Sequence, residues 1–412
     1  MSMPAAQQHN LTAIKWLTYL MFMMFAMTTD SVGVIIPEVI KEFNLSMTAA
    51  GAFHYANMAA IALAAIFLGY LADKLGRKKT IILGLVLFAL NSYLFAAGNA
   101  FWFFLVLLVI SGASIGIFKT GALALVGDIS VSTSEHTTTM NTVEGFFGVG
   151  AIIGPALVAK LLSAGLSWKW LYIIAATICV LLIVTAMLVK YPKTTKTVEE
   201  SIDLKRTMKM MKSPYALSFS LGIFLYVAVE CAVYVWMPTL LTDYSGSFAF
   251  MATYAISVFF ILRAAGRFLG AWVLARYNWT AVMALFSLVI FACFAGAMAG
   301  GVSYAAWLLP LSGLFMSMIY PTLNSKGISC FAKTEHGAVA GVILFFTCAA
   351  AALGPLAMGA VSDAFGHARY GFGLATLFAA LLFAGLLFNW MYDPARERLL
   401  KLDSSEYQGA ES

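Results

Sequence analysis

Gly69-Tyr70-Leu71-Ala72-Asp73-Lys74-Leu75-Gly76-Arg77-Lys78-Lys79 joins two apolar runs, 48–72 and 80–98. Gly69 lets helices approach closely, Asp73 can cap or pair at a helix end, and Gly76 permits a tight turn. Lys74, Arg77, Lys78 and Lys79 crowd that turn, as basic residues do where a chain emerges on the cytoplasmic side of a bilayer. Two long apolar segments joined by a short basic turn form a membrane hairpin. The rest of the chain repeats the pattern.

Of 412 residues, 62% are hydrophobic and 11% are charged. A soluble domain is about 25% charged, so this chain lacks the polar side chains to cover a soluble body. Its mean hydropathy is +0.88. A soluble enzyme, a nucleic-acid-binding protein and a disordered chain are all poor fits. The net charge of +6 is read as a surplus in cytoplasmic loops rather than as a nucleic-acid footprint. The five cysteines have no CxxC or metal spacing and are expected to be small core residues without disulfides. Met1–Asn10 lacks the features of a signal peptide, so the first span is expected to be retained.

Twelve apolar runs cover 14–39, 48–72, 80–98, 101–127, 138–163, 168–190, 214–242, 247–275, 280–299, 303–325, 336–361 and 372–392. Each is long enough to cross roughly 30 Å of hydrocarbon as a helix. They are numbered spans 1–12. The expected organisation is a six-helix bundle over 1–190, a basic cytoplasmic linker over 191–213, a second bundle over 214–395 and a cytoplasmic tail over 396–412. With both termini cytoplasmic, seventeen Lys and Arg outside or at the ends of the spans fall on the inner side and four, Lys41, Lys160, Lys169 and Arg369, on the outer side. That bias sets the expected orientation.

The halves also repeat. Gly154-Pro155 recurs as Gly354-Pro355, and Asp30 recurs as Glu230, both at an offset of 200 residues. Arg77 is one residue from register with Arg276. A tandem duplication of this kind predicts a pseudo-two-fold axis along the membrane normal and a site between the halves.

The opening stretch fits the G-x-x-x-D-[RK]-x-G-R-[RK] signature of the major facilitator superfamily, with Gly69, Asp73, Gly76, Arg77 and Lys78 as its conformational-gating motif. A narrower resemblance is to the fucose/glucose/galactose permease family. It is carried by Asn141-Thr-Val-Glu144-Gly-Phe-Phe-Gly148-Val-Gly150 with Gly154-Pro155, by Gly266-Arg267-Phe-Leu-Gly270-Ala-Trp272 and by Tyr226-Val-Ala-Val-Glu230. Phe315 to Thr322 and Gly359 to Gly366 continue it. The resemblance implies an all-α membrane protein of two pseudo-symmetric six-helix bundles that takes up a sugar or polyol by symport with a cation. The chain departs from the family in one respect. Where the family carries a span-4 carboxylate followed by Thr, this chain has Lys119-Thr120, and Asp30 lies about one turn earlier than the resemblance would place it.

Ionisable groups inside a bilayer are costly and mark pathways. Six are deep: Asp30, Lys119, Glu144, Glu230, Arg263 and Arg267. Three of each sign suggest mutual neutralisation in a shared cavity. Asp30, Lys119, Glu144, Glu230, Asn141 and Arg263 are the expected substrate and ion-coupling residues, while Arg267 is expected to be structural. Lys119 is expected to face the cavity and to meet Glu144 or Asp30 in at least one conformation. Sugar sites combine amide, hydroxyl and carboxylate groups with aromatic faces, which nominates His54, Asn57, Tyr226, Trp236, Tyr320 and Asn324. Static ion pairs and interface aromatics are the competing structural explanations.

No phosphate-binding loop, metal spacing or catalytic constellation is present, so no cofactor and no enzyme activity are expected. The leading expectation is a secondary active transporter of a sugar or sugar derivative in the cell (inner) membrane, coupled to H+ or, alternatively, Na+. Rival expectations are an anionic solute such as a sugar acid, multidrug export, a membrane sensor or a lipid-modifying enzyme. Partners are the small-molecule substrate, the coupling cation and membrane lipids. Nucleic acid is not expected, and a monomer suffices.

Overall fold

The computed structural model describes residues 5–68, 71–129, 133–192, 211–247, 249–274, 276–331 and 336–406. Every regular element among them is helical. The chain forms two compact units, Met1–Thr197 and Val198–Ser412. Residues 193–210 of the expected linker lie outside the described residues. The expected tail carries a helix, Arg396–Glu406.

Eleven described helical stretches are long and apolar enough to cross a membrane. In the first unit they are Asn10–Phe43 (span 1), Arg77–Ala96 (span 3), Phe101–Val126 (span 4), Thr142–Ser163 (span 5) and Trp170–Leu188 (span 6). Span 2 is the helix Ala52–Leu68, which ends at the edge of the described residues. In the second unit they are Pro214–Asp243 (span 7), Ala255–Leu274 (span 8), Trp279–Gly300 (span 9), Val302–Ser329 (span 10), Val342–Phe365 (span 11) and Ala368–Tyr392 (span 12).

The two units use the same internal packing. In the first, span 1 packs on spans 5 and 6, span 4 on spans 2 and 3, and span 3 on span 6. In the second, span 7 packs on spans 11 and 12, span 10 on spans 8 and 9, and span 9 on span 12. Gly154 makes the span 1–span 5 contact possible. A Cβ there would stand 2.2 Å from the Met27 carbonyl oxygen and 2.5 Å from Ser31 Oγ. Phe25 fills the heart of the first unit, with ring centroids 4.8 Å from Phe88 and 4.6 Å from Phe118.

Spans 1 and 7 are both interrupted beside the repeated carboxylate. Span 1 is an α-helix over Ala5–Thr29 that resumes at Val32. Thr28 donates its hydroxyl to Phe25 O, and Ser31 donates to Met27 O. Such side chains compete with the backbone for its carbonyls and bend helices. Span 7 is α-helical over Pro214–Cys231 and widens to a π-turn over Ala232–Trp236. Pro238 has no N–H to give the Tyr234 carbonyl, which removes one α-helical bond at that turn.

Span 10 departs from an unbroken run. It splits into Val302–Met316 and Ile319–Ser329. Pro321 cannot bond to the Ser317 carbonyl. Its counterpart 200 residues earlier is Gly121, and there the helix Phe101–Ile129 runs through.

Candidate functional site

The second unit joins three of the expected residues into one polar cluster. Glu230 lies in the last turn of the α-helical part of span 7, with 7% of its surface exposed. Arg263 of span 8 reaches across to it, Nη2 to Oε1 at 2.6 Å. Tyr226, one turn earlier and buried, donates its hydroxyl to the same oxygen at 3.1 Å. One carboxylate oxygen therefore accepts from a phenol and a guanidinium, and charge-assisted bonds of this kind are strong where water is scarce. The Arg263 guanidinium also lies 6.0 Å from the centroid of Phe260. Arg267, half-buried, follows one turn along the same helix.

The first unit is arranged differently. Asp30 is half-buried at the break in span 1, where Thr29 Oγ1 donates to its Oδ2 at 2.7 Å. Lys119 is half-buried in span 4, and its ammonium lies 5.2 Å from the centroid of Phe147 on span 5. Glu144 is exposed, three residues before Phe147. Among the described residues Lys119 makes no ion pair, either with Glu144 or with Asp30, in this conformation. Phe147 was not singled out by its sequence, although it stands within the quoted Asn141–Gly150 stretch. The side chain of Asn141 lies outside the described residues.

The neutral candidates divide by burial. His54 and Asn57 of span 2 are buried, and Asn57 Oδ1 has no hydrogen-bond partner among the described residues. Trp236 is buried in the π-turn and donates its indole N–H to the Pro355 carbonyl at 3.0 Å. That bond ties span 7 to span 11, so in this conformation the ring packs helices together. Tyr320 and Asn324 are half-buried, one turn apart in the second segment of span 10.

Of the opening motif, Gly69 and the Asp73 side chain lie outside the described residues. Gly76 has φ 84°, a backbone conformation that disfavours any side chain. Arg77 is buried. Lys78 caps the end of span 6, its Nζ donating to the carbonyls of Met187 at 3.0 Å and Val189 at 2.8 Å. Its ammonium also sits 5.3 Å from the Tyr191 ring, and burial pushes that phenol up to about 12. The basic motif thus bonds to the C-terminal carbonyls of a helix more than a hundred residues away, where a cation is electrostatically favoured. Among the described residues no group of three His, Cys, Asp or Glu could hold a metal ion.

A family model of the Major Facilitator Superfamily matches residues 18–355. The L-fucose-proton symporter of Escherichia coli (strain K12) is 28% identical, over 88% of this chain and 89% of the symporter. The glucose/galactose transporter of Brucella abortus (strain 2308) is 23% identical, over 84% of this chain and 87% of that protein. Among solved structures, a bacterial homolog to the human lysosomal transporter Spinster matches with a TM-score of 0.75 at 16% identity. It covers 97% of this chain and 99% of its own, and at that identity the likeness speaks for the fold alone.

Proposed function

Because the chain belongs to the major facilitator superfamily, a family of multi-pass membrane transporters rather than enzymes, we propose that it carries a sugar or sugar derivative into the cell by H+ symport. Both termini are then cytoplasmic, in the orientation that the Lys and Arg bias favours. The observation that carries the coupling is the Tyr226–Glu230–Arg263 cluster. A carboxylate that holds a guanidinium across two spans releases it on taking a proton. Arg263 and Tyr226, released from that oxygen, then bond to sugar hydroxyls, so proton and substrate occupancy are linked. Asp30, at the corresponding break of span 1, is a second coupling carboxylate on this reading. The two long relatives named for sugar transport support the substrate class.

Purified protein in proteoliposomes, given separate pH and sodium gradients and a panel of radiolabelled sugars, tests the reading. Accumulation driven by the pH gradient and abolished by a protonophore is expected. A sodium gradient that drives accumulation by itself would replace the coupling ion. Failure of every sugar and sugar acid to accumulate would remove the substrate class.

A further inference from the structure

The two units treat their deep cations in opposite ways. Arg263 is bound by Glu230 at 2.6 Å, whereas among the described residues Lys119 has only the Phe147 face, at 5.2 Å. Lys119 is also about two turns, roughly 10 Å, inside the end of an apolar stretch that runs to Val126. An ammonium within a spanning helix is costly. An aromatic face returns only part of that cost. The remainder calls for water or an anion.

The backbone beside Phe147 is open enough for either. A Cβ added at Gly145 or at Gly148 would meet nothing within 4 Å. Glu144, on the same stretch, is exposed. A carboxylate is far cheaper against water than against hydrocarbon, which argues that this face of span 5 borders an aqueous recess. Lys119 therefore stands half-buried against Phe147, on a stretch with open space over Gly145 and Gly148, and among the described residues no anion answers its charge. Neutral sugar hydroxyls would answer it weakly. A carboxylate would form charge-assisted bonds roughly twice as strong as neutral ones.

We propose that Lys119 is the specificity-determining cation for an acidic sugar, a hexuronate or aldonate whose carboxylate it binds. The assignment rests on the sugar-transport reading above and narrows its substrate. Glu144 is the chain's own competitor for that ammonium, and its protonation favours the substrate's carboxylate.

The test uses wild-type protein in proteoliposomes with a pH gradient and radiolabelled D-glucuronate. D-galacturonate, D-glucose and L-fucose serve as competitors. Glucuronate should accumulate, with galacturonate competing at least tenfold better than either neutral sugar. Lys119→Gln should raise KM for glucuronate at least tenfold, Lys119→Arg should keep most of the affinity, and Glu144→Gln should not reproduce the KM defect. Should Lys119→Gln fail to fold, the wild-type competition series decides by itself. Accumulation of neutral sugars with no competition from uronates would overturn this assignment and leave sugar transport standing. An unchanged KM in Lys119→Gln, or an equal KM defect in Glu144→Gln, would also overturn it. If neither class accumulates, the broader reading falls and takes this one with it.

Discussion

Arg263 Nη2 and Tyr226 Oη converge on a single atom, Glu230 Oε1, from 2.6 and 3.1 Å. The carboxylate is nearly enclosed, so its partners rather than water carry its charge. Removing the guanidinium leaves a buried carboxylate without its countercharge, and breaking a buried pair costs about 3–5 kcal/mol. Arg263→Met should therefore lower the melting temperature in detergent, and Glu230→Gln combined with Arg263→Met should recover most of the loss. Glu230→Gln by itself should fold and should lose dependence of uptake on the pH gradient. Independent, additive effects of the two substitutions on stability would show that the pair is not coupled.

The repeat makes an asymmetric prediction about glycine. A Cβ at Gly154 would stand 2.2 Å from a backbone carbonyl, whereas one at Gly354 meets Ala228 no closer than 3.0 Å. The first contact cannot relax without moving span 1 away from span 5. Gly154→Ala should cost about 1–3 kcal/mol, in the range of overpacked cores. Gly354→Ala should cost clearly less. Size-exclusion profiles after heating would rank the two, and the reverse order would contradict the packing described here.

Lys78 bonds to the last carbonyls of span 6, so its loss should be felt there rather than at its own helix. Lys78→Met removes two charge-assisted bonds at a partly exposed site, about 1–1.5 kcal/mol in total. Hydrogen exchange across 186–191 should accelerate about tenfold, while span 3 stays protected. Lys78→Arg should restore most of the protection, since only a donor cation is needed. Unaltered exchange at the end of span 6 would mean the carbonyls find other donors.

Much of this architecture was legible because it is written in covalent pattern. The apolar runs and the 200-residue offset of Gly154-Pro155 and Gly354-Pro355 need no knowledge of helix rotation. What was not legible depends on which way a side chain turns. The sequence points Lys119 to a carboxylate in at least one conformation, but it does not say what the ammonium meets in this one, which is the Phe147 ring. Trp236 has the same chemistry whether it stacks on a sugar or packs a helix, and only the Pro355 carbonyl 3.0 Å from its N–H distinguishes the two. The split in span 10 was hidden because Pro321 interrupts hydrogen bonding while lowering the hydropathy of a long apolar run too little to end it. The Asp30 and Glu230 offset was visible, but the interruptions beside them came from hydroxyls competing for carbonyls in span 1 and from the missing N–H of Pro238 in span 7, which apolar periodicity does not register.

The helix Arg396–Glu406 gives a last prediction, through a thiol. Arg398 Nε donates to the Cys330 carbonyl at 2.5 Å, and its guanidinium lies 4.8 Å from the Tyr215 ring and 5.0 Å from the Phe331 ring. Cys330, just past the end of span 10, is buried. Burial pushes its thiol from 9.0 up to about 11, against the smaller downward pulls of Arg398 and Lys326. The reactive form is the thiolate, so alkylation at pH 8 should be roughly a hundredfold slower than at an ordinary thiol and should rise about tenfold per pH unit up to about 11. The folded state holds this proton more tightly than the unfolded chain, so its contribution to stability is complete below about 9 and is lost as pH rises from there through 11. Arg398→Ala has two opposed effects. It removes a cation that favours the thiolate, and it uncovers the packing that disfavours it. Burial is the larger cause, so the thiol should become easier to ionise and labelling at pH 8 should accelerate about tenfold, read by peptide mass mapping after iodoacetamide. Slower labelling would mean that the charge of Arg398, not the cover it holds in place, governs Cys330.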